Sequence, residues 1–274
     1  MIDRWSERQD VLAETLRIKL GRLRETVYAC GPAAVAISGG IDSTLLLKVA
    51  CDELGVDKVL ALFAHSVLQP AGERAHVFEL CTAMGCRLQI MEADPLNWSD
   101  FVENPPDRCY RCKKRIYSNF LKTMAPFNMS ALMDGTNTDD RSDTRPGLRA
   151  LAELKVLTPL ADVGLRKQEI RQLGRHLGLP NWKRPSASCL ATRIPAGRPI
   201  TPALLDRVAR CEEILHSLGF YGCRARLVGD DVLIELATGD TARFVDPSVR
   251  NSIVKRISGL GVDRVLLDLS ERRS

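Results

Sequence analysis

The stretch Ala33-Ala-Val-Ala-Ile-Ser-Gly-Gly-Ile-Asp-Ser-Thr44 decides how this chain is read. A short apolar run predicts a buried strand, Val35 to Ser38, and the apolar pattern after Asp42 predicts a helix from Ser43 to Leu54. Two glycines at the junction let the backbone turn tightly and lie close to a ligand. A helix start offers unpaired N–H groups, which suit an anion. The loop nevertheless lacks the Gly-Lys-Ser/Thr ending of the common phosphate loop. Asp42 would repel a phosphate unless a divalent cation lay between them, so Mg²⁺ is expected at this acid. Taken alone, the same residues also read as a helix cap after a turn, because Asp and Ser are good caps.

Outward from this loop, strand-like and helix-like runs alternate. An amphipathic helix is predicted over residues 5 to 30, with Val11, Leu12, Leu16, Leu20 and Leu23 near helical spacing. Strands are predicted over Lys58 to His65, Arg87 to Met91 and Ser130 to Met133, and helices over Ala71 to Met84, Tyr110 to Met124 and Leu165 to Leu177. Residues 94 to 108, with three prolines, read as loop. Such βα alternation predicts an α/β fold, a parallel sheet with helices on both faces. Ligands of open parallel sheets bind at the carboxyl ends of strands, where Ser38-Gly39-Gly40 falls.

Five prolines between Pro180 and Pro202 mark a boundary loop. Beyond it the rhythm changes. A helix from Thr201 to about Leu218 opens with a cap and a proline. Two strands, Cys223 to Val228 and Val232 to Leu236, flank a turn at Gly229-Asp230-Asp231. A helix and a last strand, Arg264 to Leu269, follow. The expected organisation is a domain over 1–190, N-terminal helix included, and a small α+β domain over 200–274. No repeat or low-complexity segment is evident.

The 274 residues carry a net charge of +5, enough for an anionic ligand without demanding nucleic acid. No segment approaches a membrane span, and Met1 to Arg8 is charged, so no membrane is expected and the cytoplasm is. There the nine cysteines should be thiols, metal ligands or catalytic groups. Cys109-Tyr-Arg-Cys112 is a CxxC pair among the basic residues Arg108, Arg111, Lys113 and Lys114, which favour thiolates. Cys189 lies in a polar, turn-rich segment. Cys30, Cys51, Cys81, Cys86, Cys211 and Cys223 sit in or beside apolar elements and read as core. A zinc site joining Cys81 and Cys86 to the CxxC pair stays open. A CxxC pair plus one distant cysteine is short of a closed zinc site, but could hold three irons of a [4Fe–4S] cluster and leave the fourth open.

The string Ser38-Gly-Gly-Ile-Asp-Ser43 resembles the signature of the PP-loop ATP pyrophosphatases, which split ATP between the α and β phosphates and adenylate a substrate oxygen. The resemblance implies that Ser38, Gly39, Gly40, Asp42 and Ser43 bind ATP, with contacts after the second and fourth strands at Ser66 and Gly135. With Pro105-Pro-Asp-Arg-Cys-Tyr-Arg-Cys-Lys-Lys114, Asp134-Gly-Thr-Asn137, Asp139-Asp-Arg-Ser-Asp-Thr-Arg-Pro-Gly147 and Ser188-Cys-Leu-Ala-Thr-Arg-Ile-Pro195, the chain resembles the LarE family nearly end to end. That family builds the nickel-pincer nucleotide cofactor of lactate racemase. The resemblance implies adenylation of a carboxylate of pyridinium-3,5-biscarboxylic acid mononucleotide, then sulfur transfer. One subgroup sacrifices the sulfur of the cysteine matching Cys189 and lacks the CxxC pair. The other holds a [4Fe–4S] cluster on three cysteines, here Cys109, Cys112 and Cys189, fed by sulfide or another sulfur source. It also implies a phosphate-binding Arg224, a functional acid at Glu212, and a homo-oligomer, hexameric in known cases. Arg226 shares a strand face with Arg224, and Arg193 follows Cys189; both are further candidates for the substrate's phosphate or carboxylates. A tRNA-thiolating PP-loop enzyme, sacrifice of the Cys189 sulfur, and a non-catalytic nucleotide- or metal-binding module are the competing expectations.

Overall fold

A computed structural model describes residues 12–141, 146–186 and 188–270. In chain order its elements are α1 (Glu14–Ala29), β1 (Ala33–Ala36), α2 (Ile41–Leu54), β2 (Val59–His65), α3 (Glu73–Ala83), β3 (Arg87–Glu92), α4 (Ser99–Val102), α5 (Arg108–Met124), β4 (Ala131–Asp134), α6 (Pro146–Glu153), α7 (Pro159–Asp162), α8 (Lys167–His176), α9 (Pro202–Ser217), β5 (Arg224–Val228), β6 (Asp231–Glu235), α10 (Thr241–Val245), α11 (Pro247–Ser258) and β7 (Val265–Leu267). They form two compact units. One comprises residues 1–65, 71–93 and 109–184; the other comprises 66–70, 94–108 and 185–274.

In the first unit four parallel strands are ordered β3-β2-β1-β4. Each residue of β1 is buried, and alternate side chains serve opposite faces. Ala33 and Val35 join Leu45, Leu46, Val77, Ile170 and Leu173 in one core. Ala34 and Ala36 join Tyr117, Phe120, Met124 and Leu151 in the other. The sheet is thus covered by helices on both sides, as the alternation predicts. Successive strands run from β1 to β3 on one side, and β4 then pairs with the other side of β1. This reversal creates a switch point at the carboxyl ends of β1 and β4.

α1 uses Leu16, Leu20, Leu23 and Val27 to reach the core. Residues 5 to 11 of the expected helix lie outside the described residues, and Leu12 and Ala13 precede the first turn. The stretch read as loop over 94–108 contains a 3₁₀ turn, Pro95–Asn97, and the short helix α4.

In the second unit β5 and β6 form an antiparallel hairpin closed by Gly229-Asp230, and β7 lies parallel to β6. Gly229 has φ 61°, as a tight two-residue connection requires. α9 packs on β5, and Phe220 meets Phe244 edge-on at 5.4 Å.

Candidate active site

The loop between β1 and α2 is held by its own hydroxyls. The Ser38 N–H donates to Ser43 Oγ at 3.1 Å, and Ser43 Oγ and Thr44 Oγ1 donate to the Gly40 carbonyl at 3.0 and 2.9 Å. Gly40 is the N-cap of α2, and no side chain caps that helix. The helix-cap reading of Asp42 therefore fails here: the acid lies inside the first turn. Its Oδ1 accepts from Asn137 Nδ2 at 3.1 Å, and its Oδ2 is paired with Lys167 Nζ.

Two glycines are dictated by neighbours. Gly39 has φ +79°, and a Cβ there would fall 2.2 Å from Glu73 Oε1. A Cβ on Gly135 would fall 2.8 Å from Ser43 N and 2.9 Å from Ser43 Cα, so the chain leaving β4 touches the loop's backbone. The Gly39 carbonyl accepts from Asn181 Nδ2 at 2.9 Å, and the same amide nitrogen reaches Thr44 Oγ1 at 2.9 Å. Glu73, buried against the loop, is held by Arg184 through two bonds of 2.9 and 2.7 Å. Residues 181–184 thus brace the phosphate loop, a role hidden inside the proline-rich stretch.

At the end of β4, Asp134 is buried and accepts from the Thr136 N–H at 2.8 Å, from the Thr136 and Tyr117 hydroxyls, and from Lys113 Nζ at 3.2 Å. Burial alone would push its carboxyl up, but the Lys113 ammonium and the hydroxyl donors outweigh it and hold the group below the usual range. Burial and the Asp134 charge push Tyr117 well up. Lys113 follows directly on Cys112, so the first turns of α5, which carry Cys109 and Cys112, are fastened to the carboxyl end of β4. Lys114 turns to Glu153 at 2.7 Å.

In the second unit Cys189 is exposed and opens a 3₁₀ turn, Leu190–Arg193. Its carbonyl accepts from Thr192 Oγ1 at 2.7 Å. Arg193 and Glu212 are both buried and paired, Nε to Oε1 at 2.6 Å and Nη2 to Oε2 at 3.2 Å. Glu212 Oε1 also accepts the Ala225 N–H at 3.1 Å, and Arg193 Nη1 donates to Ser188 Oγ. The pair therefore bolts the Cys189 turn to α9 and β5. Arg226 donates to the Thr192 carbonyl at 2.7 Å and pairs with Glu235. Arg224 lies on the same strand face, half-buried. Ser66 caps a turn, its Oγ accepting from the Leu68 N–H at 3.2 Å. Asn104, at φ 57°, donates through Nδ2 to the Pro195 and Arg198 carbonyls at 2.8 Å each, while Arg108 reaches Asn104 Oδ1 and the Ala191 carbonyl. Local sequence signals none of the bonds to Ala191, Pro195 and Arg198, whose partners lie 83, 91 and 94 positions away.

The nine cysteines separate by exposure. Cys109 and Cys189 are exposed and Cys112 is half-buried, whereas Cys51, Cys81, Cys86, Cys211 and Cys223 are buried. Half-buried Cys30 donates to the Thr26 carbonyl at 3.2 Å. Burial pushes Cys81 up to about 12 and Cys211 up to about 11. Cys86 is lowered by a hydrogen bond from Cys51, which that bond and burial push up in turn. Among the described residues no three His, Cys, Asp or Glu side chains are gathered as a metal site. By donor chemistry Cys109, Cys112 and Cys189 suit iron and sulfide, being soft thiolate ligands. Asp42 suits Mg²⁺, because an ammonium already stands on its carboxylate as a stand-in cation. No helix among the described residues is long and apolar enough to cross a membrane.

A parallel sheet with an uncapped Ser-Gly-Gly loop at its switch point defines an enzyme of the PP-loop ATP pyrophosphatase type. GMP synthase of Aeropyrum pernix is 29% identical over 67% of this chain and 39% of that protein. Pyridinium-3,5-bisthiocarboxylic acid mononucleotide synthase of Lactiplantibacillus plantarum is 36% identical over 95% of this chain and 94% of its own. An uncharacterized protein of Synechocystis is 33% identical over 94% and 96%. No family model matches the chain. The chain belongs to the LarE family of ATP-dependent sulfur transferases, within the PP-loop superfamily.

Proposed function

We propose that this enzyme adenylates a carboxylate of pyridinium-3,5-biscarboxylic acid mononucleotide and replaces the adenylate with sulfur. The Lactiplantibacillus relative is a synthase of pyridinium-3,5-bisthiocarboxylic acid mononucleotide, the product such a reaction at both carboxylates would give, which supports a pyridinium mononucleotide substrate. A carboxylate is a poor electrophile. Its oxygen attacks the α-phosphorus of ATP, pyrophosphate departs, and the carbonyl gains AMP as a leaving group. Sulfide then displaces AMP to give the thiocarboxylate. Ser38, Gly39, Gly40, Ser43 and Gly135 cradle the phosphates, with Ser66 as a further nucleotide contact. Asp42 would hold Mg²⁺, which would supply counter-charge for the leaving pyrophosphate. Arg224, beside Arg226 on its strand face, takes the substrate's phosphate. Arg193 and Glu212 fix the turn that presents Cys189.

The observation that carries the sulfur assignment is that Cys109 and Cys189 are exposed and Cys112 half-buried, against six cysteines buried or spent on backbone. Cys109, Cys112 and Cys189 would hold a [4Fe–4S] cluster, which supplies sulfur drawn from sulfide or another source. The enzyme works as a cytoplasmic homo-oligomer. Protein reconstituted anaerobically with iron and sulfide is the test. With ATP, Mg²⁺ and substrate it should turn over repeatedly while Cys189 keeps its mass. A loss of about 34 Da at Cys189, the mass of H₂S, would mean the cysteine gives up its own sulfur. Reconstituted protein without brown absorbance would overturn the cluster, and full multi-turnover transfer by Cys189→Ala would overturn the role of Cys189.

A further inference from the structure

We propose that the first unit holds a second ligand site, a small apolar cavity at the end of α2 remote from the glycine loop, which takes a compact aryl- or alkylammonium ion and strengthens nucleotide binding when filled. The site itself is independent of the loop's reading; its effect on nucleotide rests on the assignment of the loop to ATP. The cavity measures about 170 Å³. Its lining includes the buried Cys51, Leu80 and Leu179 and the half-buried Met84 and Leu177. Val56, an apolar side chain left 38% exposed, also lines it. An apolar void of about 150 Å³ holds a benzene-sized ligand, so one six-membered ring or a branched chain of similar bulk fits here.

Charge selects the ligand's head. Three helices end on this cavity. α2 ends at Leu54, α3 at Ala83 and α8 at His176, and the lining comes from their last turns and the residues just beyond. The last carbonyls of a helix lack partners within it, and each C-terminus carries roughly half a negative charge. Among the described residues of the lining, the charged side chains are Lys48 and Asp52, which pair at 2.6 Å and cancel. The field that remains is negative, the sum of three helix ends. It favours a cation over a neutral molecule and repels an anion. Lys48 and Asp52 are also about one-third open to solvent. An ammonium can therefore stay hydrated beside Asp52 while its apolar body is buried.

The walls lead to the glycine loop. Pro180 lines the cavity, and the next residue, Asn181, holds the Gly39 carbonyl and Thr44 Oγ1. Arg184 holds Glu73, which is the first residue of α3, the helix that brings Leu80 and Ala83 to the cavity. α2 spans 14 residues, so the cavity lies about 20 Å from the loop. A body packed against Leu177 and Leu179 holds the chain that follows in the arrangement that braces the loop. Ligand and nucleotide then favour the same arrangement, and each tightens the other by the same factor.

The full chain, with isotope-labelled methionine methyl groups, is titrated with benzylamine, benzyl alcohol and benzoate and followed by nuclear magnetic resonance. The Met84 methyl signal should shift saturably, with benzylamine tightest and benzoate weakest. Asp52→Asn should weaken benzylamine about threefold, and Lys48→Met should tighten it by a similar factor. Ala83→Phe, which puts a ring into the space from an exposed position, should abolish binding and leave the melting temperature near wild type. Calorimetric affinity for ATP with Mg²⁺ should rise about fivefold once benzylamine saturates. A Met84 signal that does not respond to benzylamine, or equal affinity for the three probes, overturns the site. If Ala83→Phe lowers the melting temperature, the two charge variants decide: changes of the same sign overturn the site, because a merely structural pair would move both alike. A saturated cavity with unchanged ATP affinity overturns the link to nucleotide. Wild-type protein that binds no ATP would instead overturn the loop's assignment, and the methyl titration would still decide the cavity.

Discussion

Gly135 is crowded by backbone rather than by a side chain. The atoms a Cβ would strike are backbone, Ser43 N and Cα, which cannot turn aside as a side chain can. Gly135→Ala should force the β4 end and the loop apart at a cost of about 1–3 kcal/mol and cut ATP affinity; a variant that melts and binds like wild type would refute the contact. Glu212 is sensitive for another reason. Glu212→Ala leaves the Arg193 guanidinium buried without its carboxylate, which costs about 3–5 kcal/mol, read as a lower urea midpoint. Asp134 gives a pH signature. Its folded pKa lies below the unfolded value near ~3.9, so its contribution is present at neutral pH and lost as pH falls through the folded value. Lys113→Met removes the largest attraction on that carboxylate, so acid unfolding followed by circular dichroism should move to higher pH; an unmoved midpoint would refute the coupling. Sequence reveals residues whose role is local, such as Gly39 with its turn. It conceals Asn181 and Lys167, whose partners are 142 and 125 positions away.

At the scale of elements, periodicity locates what is long and amphipathic. The helices expected from Ser43, Tyr110, Leu165 and Thr201 begin at Ile41, Arg108, Lys167 and Pro202. Thr201 is the cap expected of it, its Oγ1 accepting the Leu204 N–H at 3.2 Å. Thr201→Ala should cost about 1 kcal/mol, and a thermal melt checks it. Short elements escaped. α4 and α7 are four residues each, too short to show a period, and α7 is placed by Leu160 and Ala161 entering the core. α6, eight residues, begins at a proline beside residues outside the described set. The candidate site depends on segments outside the strands, since Asn137 follows β4, Lys167 opens α8 and Asn181 follows it.

At the scale of the whole molecule, the α/β character was legible because strand-like and helix-like runs alternate along the chain, and the buried β1, Ala33–Ala36, is followed by Gly39-Gly40 at the start of α2. The division into units was less legible. Segments 66–70 and 94–108 group with the C-terminal unit through bonds such as Leu190 N–H to the Leu68 carbonyl at 2.8 Å and Ile200 N–H to the Val102 carbonyl at 2.8 Å. No local pattern announces a pairing across about 100 positions. That interleaving has a consequence during synthesis. Leu68 and Val102 leave the ribosome long before Leu190 and Ile200, whose N–H groups bond to their carbonyls in the finished protein. Until the chain has passed residue 200, those two segments lack the backbone bonds that Leu190 and Ile200 give them, and a nascent chain stalled earlier should be a client for chaperones. The phosphate loop, by contrast, has its last brace, Arg184, before the second unit's main segment begins. The loop Ser38–Ser43 and its braces can thus take shape before the turn that carries Cys189 is made.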